Sequence, residues 1–209
     1  VGTVNVRTKR TWTSTEKNAL SILRTVADLH GGDLVFDCPN RMVHLLTVYG
    51  TDSGALFAYK KNMKSIKRVV DTRSLVTRLY AIGSDGLTFA DINGGKAYVE
   101  DYTYSSDIRI STLDCSSFTN PYQMKEYTEM RLAQYSKPNI SYVLNAMDLS
   151  VLTGYEHEAW SLGDYVHVED KDLGLSVTTR VIRREYNLQE PWNTVLELST
   201  TLKNLGSSA

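Results

Sequence analysis

Cysteine is nearly absent: the chain of 209 residues holds two, Cys38 and Cys115, far apart in sequence. That excludes a disulfide framework, and the lack of a closely spaced partner for either excludes a zinc knuckle. A single disulfide between them is one reading; two buried free thiols is the reading a domain of this size favours. No apolar run reaches the ~18 residues a membrane-crossing helix needs, so no membrane segment is expected. No charged-then-apolar leader opens the chain either. It begins at Val1 and enters a strand-like run at once, which reads as a piece of something longer. Charge of one sign is also missing. The 23 Lys+Arg against 24 Asp+Glu leave a net charge of -1, where a protein that tracks phosphates carries a basic surplus. No specific nucleic-acid binding is expected. The one basic cluster, Lys60, Lys61, Lys64, Lys67 and Arg68, is spread through an apolar-containing segment and reads as a solvated face. What the chain has in quantity is tyrosine, 13 of them, with three Trp. These residues suit strands, subunit contacts or stacking on glycans.

Hydrophobic period divides the chain. Val4 and Val6 alternate with polar residues as a short strand would. Thr13 and Glu16 form a capping box before Ala19, Leu20, Ile22, Leu23, Val26, Ala27 and Leu29, whose spacing predicts one long amphipathic helix stopped by Gly31-Gly32. Strand runs follow at Leu34–Phe36, Met42–Tyr49 and Leu75–Ile82, with Gly50–Gly54 as a loop. Gly86–Phe89 and Ala97–Val99 suggest a hairpin across Asn93-Gly94-Gly95. Asn120-Pro121 starts a helix that Lys137-Pro138 ends. From Ile140 the pattern is all strand: Tyr142, Leu144 and Ala146 share a face, and Val166 and Val168 flank an outward-facing His167. Leu175, Val177, Thr179 and Val181 alternate too, as do Leu196 and Leu198. Turns fall at 162–164, 171–174 and 188–192. The expectation is an α+β, β-rich chain of small β-barrel or sandwich modules: residues 1–115 an α+β module, 116–138 a helical connector, 139–209 a β-barrel-like module.

Chemistry is hard to assemble from these residues. His30, His44, His157 and His167 form no zinc-protease helix motif. Glu156-His157-Glu158, read as a strand, puts His157 on the face opposite both carboxylates. Asp170-Lys171-Asp172-Leu173-Gly174 opens like a calcium loop but lacks the later glutamate, so a hairpin turn is expected. Cys38 precedes Pro39 in a turn and Cys115 sits in a Ser/Thr-rich loop, settings that do not favour a thiolate. There is no Gly-x-Ser-x-Gly elbow and no Walker loop, and Gly83-Ser84-Asp85-Gly86 reads as a turn. A glycosidase carboxylate pair has no local signature to recognise. Trp12, Trp160 and Trp192 lie near element ends, where half-buried packing is the commoner use than sugar stacking. No catalytic, metal-binding or cofactor-binding residue is therefore expected, and no cofactor. The chain reads as a non-enzyme.

Several phrases nevertheless resemble a known family. They are Tyr59-Lys60-Lys61-Asn62-Met63 to Val70-Asp71, Leu75–Tyr80 leading to Gly83–Leu87, and Asn93-Gly94-Gly95 to Tyr98-Val99-Glu100-Asp101. Further on come Ser136-Lys137-Pro138, Asp148-Leu149-Ser150 and Leu162-Gly163-Asp164-Tyr165-Val166. In this order, over nearly the whole chain, they are similar to the prophage tail-endopeptidase family, tail-associated hub proteins of long-tailed phages of Gram-positive bacteria. The resemblance implies a fold like the baseplate-hub proteins, with β-barrel modules and α/β decoration. It implies a homotrimeric ring that closes the distal end of the tail tube, in the virion at the tail tip after synthesis in the bacterial cytoplasm. The implied partners are other tail proteins (the distal tail protein and the tape measure) and the host cell-wall surface. Lytic activity in such proteins belongs to a separate C-terminal region, and no catalytic residue of this chain matches. The alternative is a cell-wall-directed module, either a peptidoglycan hydrolase or endopeptidase or a glycan-binding receptor domain. A hydrolase would need a Cys/His, His/metal or acid pair converging in a cleft; a receptor would need exposed aromatics along a groove.

Overall fold

A computed structural model describes residues 2–13, 18–190 and 193–200. Along the chain it contains α1 (Ala19–His30), β1 (Asp33–Asp37), β2 (Met42–Leu46), β3 (Asp52–Ala58), β4 (Met63–Asp71), β5 (Arg78–Gly83), β6 (Tyr98–Glu100), β7 (Ile110–Cys115), α2 (Pro121–Tyr135), β8 (Asn139–Ala146), β9 (Tyr165–Asp170), β10 (Leu175–Glu185) and β11 (Thr194–Ser199). Both helices start on asparagine. Asn18 accepts from the Ser21 N–H, and Asn120 accepts from the N–H groups of Tyr122 and Gln123, with Pro121 at the first helical position, where no N–H is needed. Gly31 ends α1 in the left-handed region, as its position after the last apolar residue predicts.

The elements gather into two compact units. The first takes the described residues up to Thr47 together with Thr72–Pro138. Its sheet has the order β6-β5-β7, with β6 antiparallel and β7 parallel to β5. Leu79, Ala81, Val99 and Cys115 point to one side and pack with Phe118, Met124, Tyr127 and Leu132 around α2. Full burial of Phe118 and Met124 stabilises by about 1.5–3 kcal/mol each. The α2 surface is held by cations: the guanidinium groups of Arg10 and Arg131 each lie 5.4 Å from the Tyr127 ring centroid, and Phe118 stacks on that ring. β1 and β2 form a separate antiparallel ladder, and Val4 adds a lone bridge to Leu45.

The second unit is built from Val48–Asp71 and the described residues from Asn139 on. Its sheet runs β3-β9-β10-β11-β8-β4. β3 and β4 are the two edges, yet only Tyr59–Asn62 lies between them in sequence. Five extended residue steps reach at most ~18 Å, whereas six flat strands would hold the edges ~24 Å apart. The sheet must curl. It does so with strand stagger, since the first half of β10 pairs with β9 and the second half with β11. The result is a half-barrel whose ends meet at one corner, where Tyr59 bridges Met63. Phe57, Tyr142, Leu144, Val166, Val168, Val181, Leu196 and Leu198 fill its concave side.

Several sequence expectations are corrected here. The division at 115 cuts across the first unit, whose core includes α2, whereas the one at 138 falls on a boundary between the units; the second unit also takes in β3 and β4, which are hydrogen-bonded into the C-terminal sheet. Gly86–Phe89 is no strand: β6 pairs with β5 instead of forming the expected hairpin, and Phe89 is buried. Cys115, read as part of a Ser/Thr-rich loop, is the last residue of β7. The capping box at Thr13–Glu16 falls on residues that lie largely outside the described ones, and Asn18 serves as the cap of α1.

Candidate functional surfaces

The residues singled out by sequence do not converge. His44 sits on β2 and accepts from the Thr3 N–H at 3.0 Å. His30, at the end of α1, is bonded to the Thr8 hydroxyl, and burial lowers its pKa. Cys115 is buried and its thiol is pushed up to about 11, first by burial and then by Asp114. Cys38 is exposed, against the expectation that both would be buried, because its turn projects beyond the β1–β2 ladder. Both thiols are free. Asp170 is an Asx cap: its Oδ1 accepts from the N–H groups of Asp172 and Leu173 and fixes the β9–β10 turn. Trp160 packs edge-on to Phe57, with Arg184 4.8 Å over its ring, and Trp12 packs against the first unit's core. Trp192 lies outside the described residues.

Two polar clusters in the second unit are better built. The first surrounds Glu158. Glu156–Glu158 is a single 3-10 turn and not a strand, so the expected separation of His157 from both carboxylates fails: His157 Nε2 lies 3.7 Å from Glu158 Oε1. Glu158 is buried. Its Oε2 accepts from the Leu56 N–H at 3.1 Å, and its Oε1 pairs with Lys61. Burial raises its pKa, but the Lys61 hydrogen bond, the Leu56 N–H and the charges of Lys61 and His157 outweigh it, so the carboxyl titrates below its ordinary 4.5. Asn62 completes the group: its Oδ1 accepts from the Ala58 N–H and its Nδ2 donates to the Leu56 carbonyl, each at 3.0 Å.

The second cluster lies on the convex side. Val166 and Val168 are fully buried, and between them His167 faces solvent, half-exposed, as the alternation predicts. His167 Nε2 lies 3.1 Å from Asp52 Oδ1, and Nδ1 lies 3.0 Å from Thr178 Oγ1. A carboxylate only accepts, so Nε2 donates to Asp52, and in that tautomer of the neutral imidazole Nδ1 accepts from the Thr178 hydroxyl. Asp52 also takes the Gly54 N–H, at a bulge where Gly54 has φ 71°. Hydroxyl, imidazole and carboxylate stand in the order of a nucleophile, a base and its orienting acid. His167 and Thr178 border a shallow cavity of about 300 Å³ on an open sheet face, not a cleft that excludes water. The arrangement is a tie across three strands.

A buried cation supports this unit from within. Arg180 is 1% exposed; its Nε donates to the Gly163 carbonyl at 2.9 Å and its Nη2 to the Tyr49 carbonyl at 2.6 Å. Gly50, at φ 94°, lies against the Gly163 backbone, where any Cβ would collide. Among the described residues no three His, Cys, Asp or Glu side chains gather as metal ligands would.

The half-barrel with a helix-backed mixed sheet is an architecture of bacteriophage tail proteins. Solved structures share it at low identity. A 43 kDa tail protein of prophage MuSo2 from Shewanella oneidensis superposes with a TM-score of 0.61 at 14% identity, over 88% of this chain and 52% of that one. A tail protein from Neisseria meningitidis MC58 gives 0.63 at 14%, over 94% and 60%. Prophage tail protein gp18 from Listeria monocytogenes EGD-e gives 0.55 at 18%, over 90% and 54%. The chain thus spans between half and three-fifths of those proteins. No curated protein sequence matches it. The family model described as prophage endopeptidase tail matches residues 51–209, and one described as prophage endopeptidase tail domain matches residues 1–45. The chain belongs to the prophage endopeptidase tail family.

Proposed function

We propose that this chain is a structural part of the phage tail tip, one protomer of a trimeric hub that closes the distal end of the tail tube. The carrying observation is the family match over residues 51–209, which takes in every strand of the half-barrel. The near-neutral net charge supports it, since identical copies around an axis repel when strongly charged. So does the scatter of reactive side chains: His44 and His167 sit in separate hydrogen-bonded settings, Cys115 is buried and Cys38 is exposed, each a free thiol. The role is mechanical and not lytic, and it is exercised in the virion against neighbouring tail proteins, the distal tail protein and the tape measure among them. The test is the mass of the full-length parent protein in solution, with the symmetry of the tail tip imaged by electron microscopy. A three-fold assembly is expected. A strictly monomeric or two-fold hub overturns the proposal.

A further inference from the structure

The six-stranded sheet has two edges, and the fold treats them differently. Along β3 the outward backbone groups are occupied by side chains: Leu56 by Glu158 and Asn62, Ala58 by Asn62. Glu158 and Asn62 are each 7% exposed, so a strand adding there would have to displace a buried carboxylate and a buried amide. Among the described residues β4 has no such cover. It is nine residues long and pairs with β8 on one side; on the other, the bridge of Met63 to Tyr59 is its only pairing among the described residues.

The side chains of β4 add a second observation. Lys67, Arg68, Val69 and Val70 are consecutive and all exposed, the valines by 38% and 48%. Lys67 and Arg68 have no carboxylate partner among the described residues. Register places Arg68 and Val70 opposite Tyr142 and Ile140, on the concave side, while Lys67 and Val69 take the convex side. Each face of this edge therefore carries one cation followed by one apolar residue. Lysine on an edge commonly guards against stray pairing. A guard explains the two cations, but not two adjacent bare valines that are among the most exposed apolar residues of the sheet.

We propose that β4 is a docking edge that takes an extended segment of another protein as a seventh strand, a segment in which two adjacent acidic residues adjoin two adjacent β-branched or aromatic ones. The acidic pair lies opposite Lys67 and Arg68, and the apolar pair opposite Val69 and Val70. Main-chain bonds supply the attachment and these cross-strand pairs set the register. Charge complementarity selects the partner, and the unmatched cations disfavour a second β4 in the same place. This inference needs only the edge and stands apart from the trimeric-hub reading; either can fail alone.

The probe is a fluorescent peptide with the core Glu-Glu-Val-Val between threonines, together with the reversed core Val-Val-Glu-Glu, titrated by anisotropy into the full chain. Binding by one of the two is expected, weakening with salt and accompanied by slowed amide exchange confined to β4. K67E/R68E should weaken it at least tenfold and transfer the preference to a Lys-Lys-Val-Val peptide. V69S/V70S, with both side chains already solvent-facing, should keep the fold and also weaken binding. Unchanged melting checks that each variant is folded. Absence of binding by both peptides overturns the proposal, as does equal binding by the charge-reversed variant. Equally tight binding of an oligonucleotide of similar length overturns it in favour of a simple polyanion site. Self-association without peptide that K67E/R68E abolishes overturns it in favour of a second copy of this chain.

Discussion

Neighbouring residues of β9 differ sharply in what they contribute. Val166 is fully buried in the half-barrel, whereas His167 makes two part-exposed hydrogen bonds across strands. Val166→Asp puts an unpaired charge into that core and should cost on the order of 3–5 kcal/mol. His167→Ala should cost about 1 kcal/mol, the usual worth of exposed hydrogen bonds. Urea midpoints of the two variants check the contrast, and a larger loss for His167→Ala would mean that this histidine does more than tie strands. The thiols separate in the same way. Cys38 is exposed and should react with a thiol reagent at once; Cys115, buried with its thiol pushed up to about 11, should react only on unfolding. Two equally fast thiols would contradict the packing around β7. Alternation made Val166, Val168 and Tyr142 readable as core from sequence alone. It gave no warning of Arg180, whose burial depends on two carbonyls brought to it from Tyr49 and Gly163.

At the scale of elements, the corner between β3 and β4 depends on a carboxylate. Glu158 has its pKa lowered below 4.5 in the folded state. A group lowered on folding contributes stability that is fully present above its unfolded value and is lost as pH falls through its folded one. Acid should therefore loosen this corner below about pH 4.5, seen as faster exchange of the Leu56 and Ala58 amides before global unfolding. Glu158→Gln should flatten that part of the profile; an unchanged profile would place the acid sensitivity elsewhere. The elements themselves were unevenly legible. α2, β8, β9 and β11 carry local signals, a proline after asparagine or strict alternation, and fall where expected. β3 and β4 were missed because Gly54 and the exposed Lys64, Lys67 and Arg68 dilute their apolar pattern, and their pairing partners lie far along the chain. The Glu158 cluster was misread for a related reason: three residues in a 3-10 turn share no strand faces, and Lys61 and Asn62 reach them from a distant segment.

For the molecule as a whole, a mechanical role predicts that the purified chain releases no muropeptides or peptides from peptidoglycan, with or without added zinc. Release that a point mutation in this chain abolishes would displace that role. The discontinuous build of the second unit has a different consequence, for the order in which the chain acquires its shape. β3 and β4 are made early but pair with β8 and β9, and the whole stretch Thr72–Pro138 must leave the ribosome between them. Closing so long a loop is slow, because its entropy is lost before the long-range contacts repay it. Until then the β3 and β4 edges wait unpaired, a state prone to aggregate. The first unit can mature on its own side chains around α2 in the meantime. Refolding should therefore be biphasic, with the buried environment of Tyr127 forming first and that of Trp160 last. Truncation before Thr194 should leave the half-barrel without β11, the strand that joins β10 to β8, and so unable to form at all.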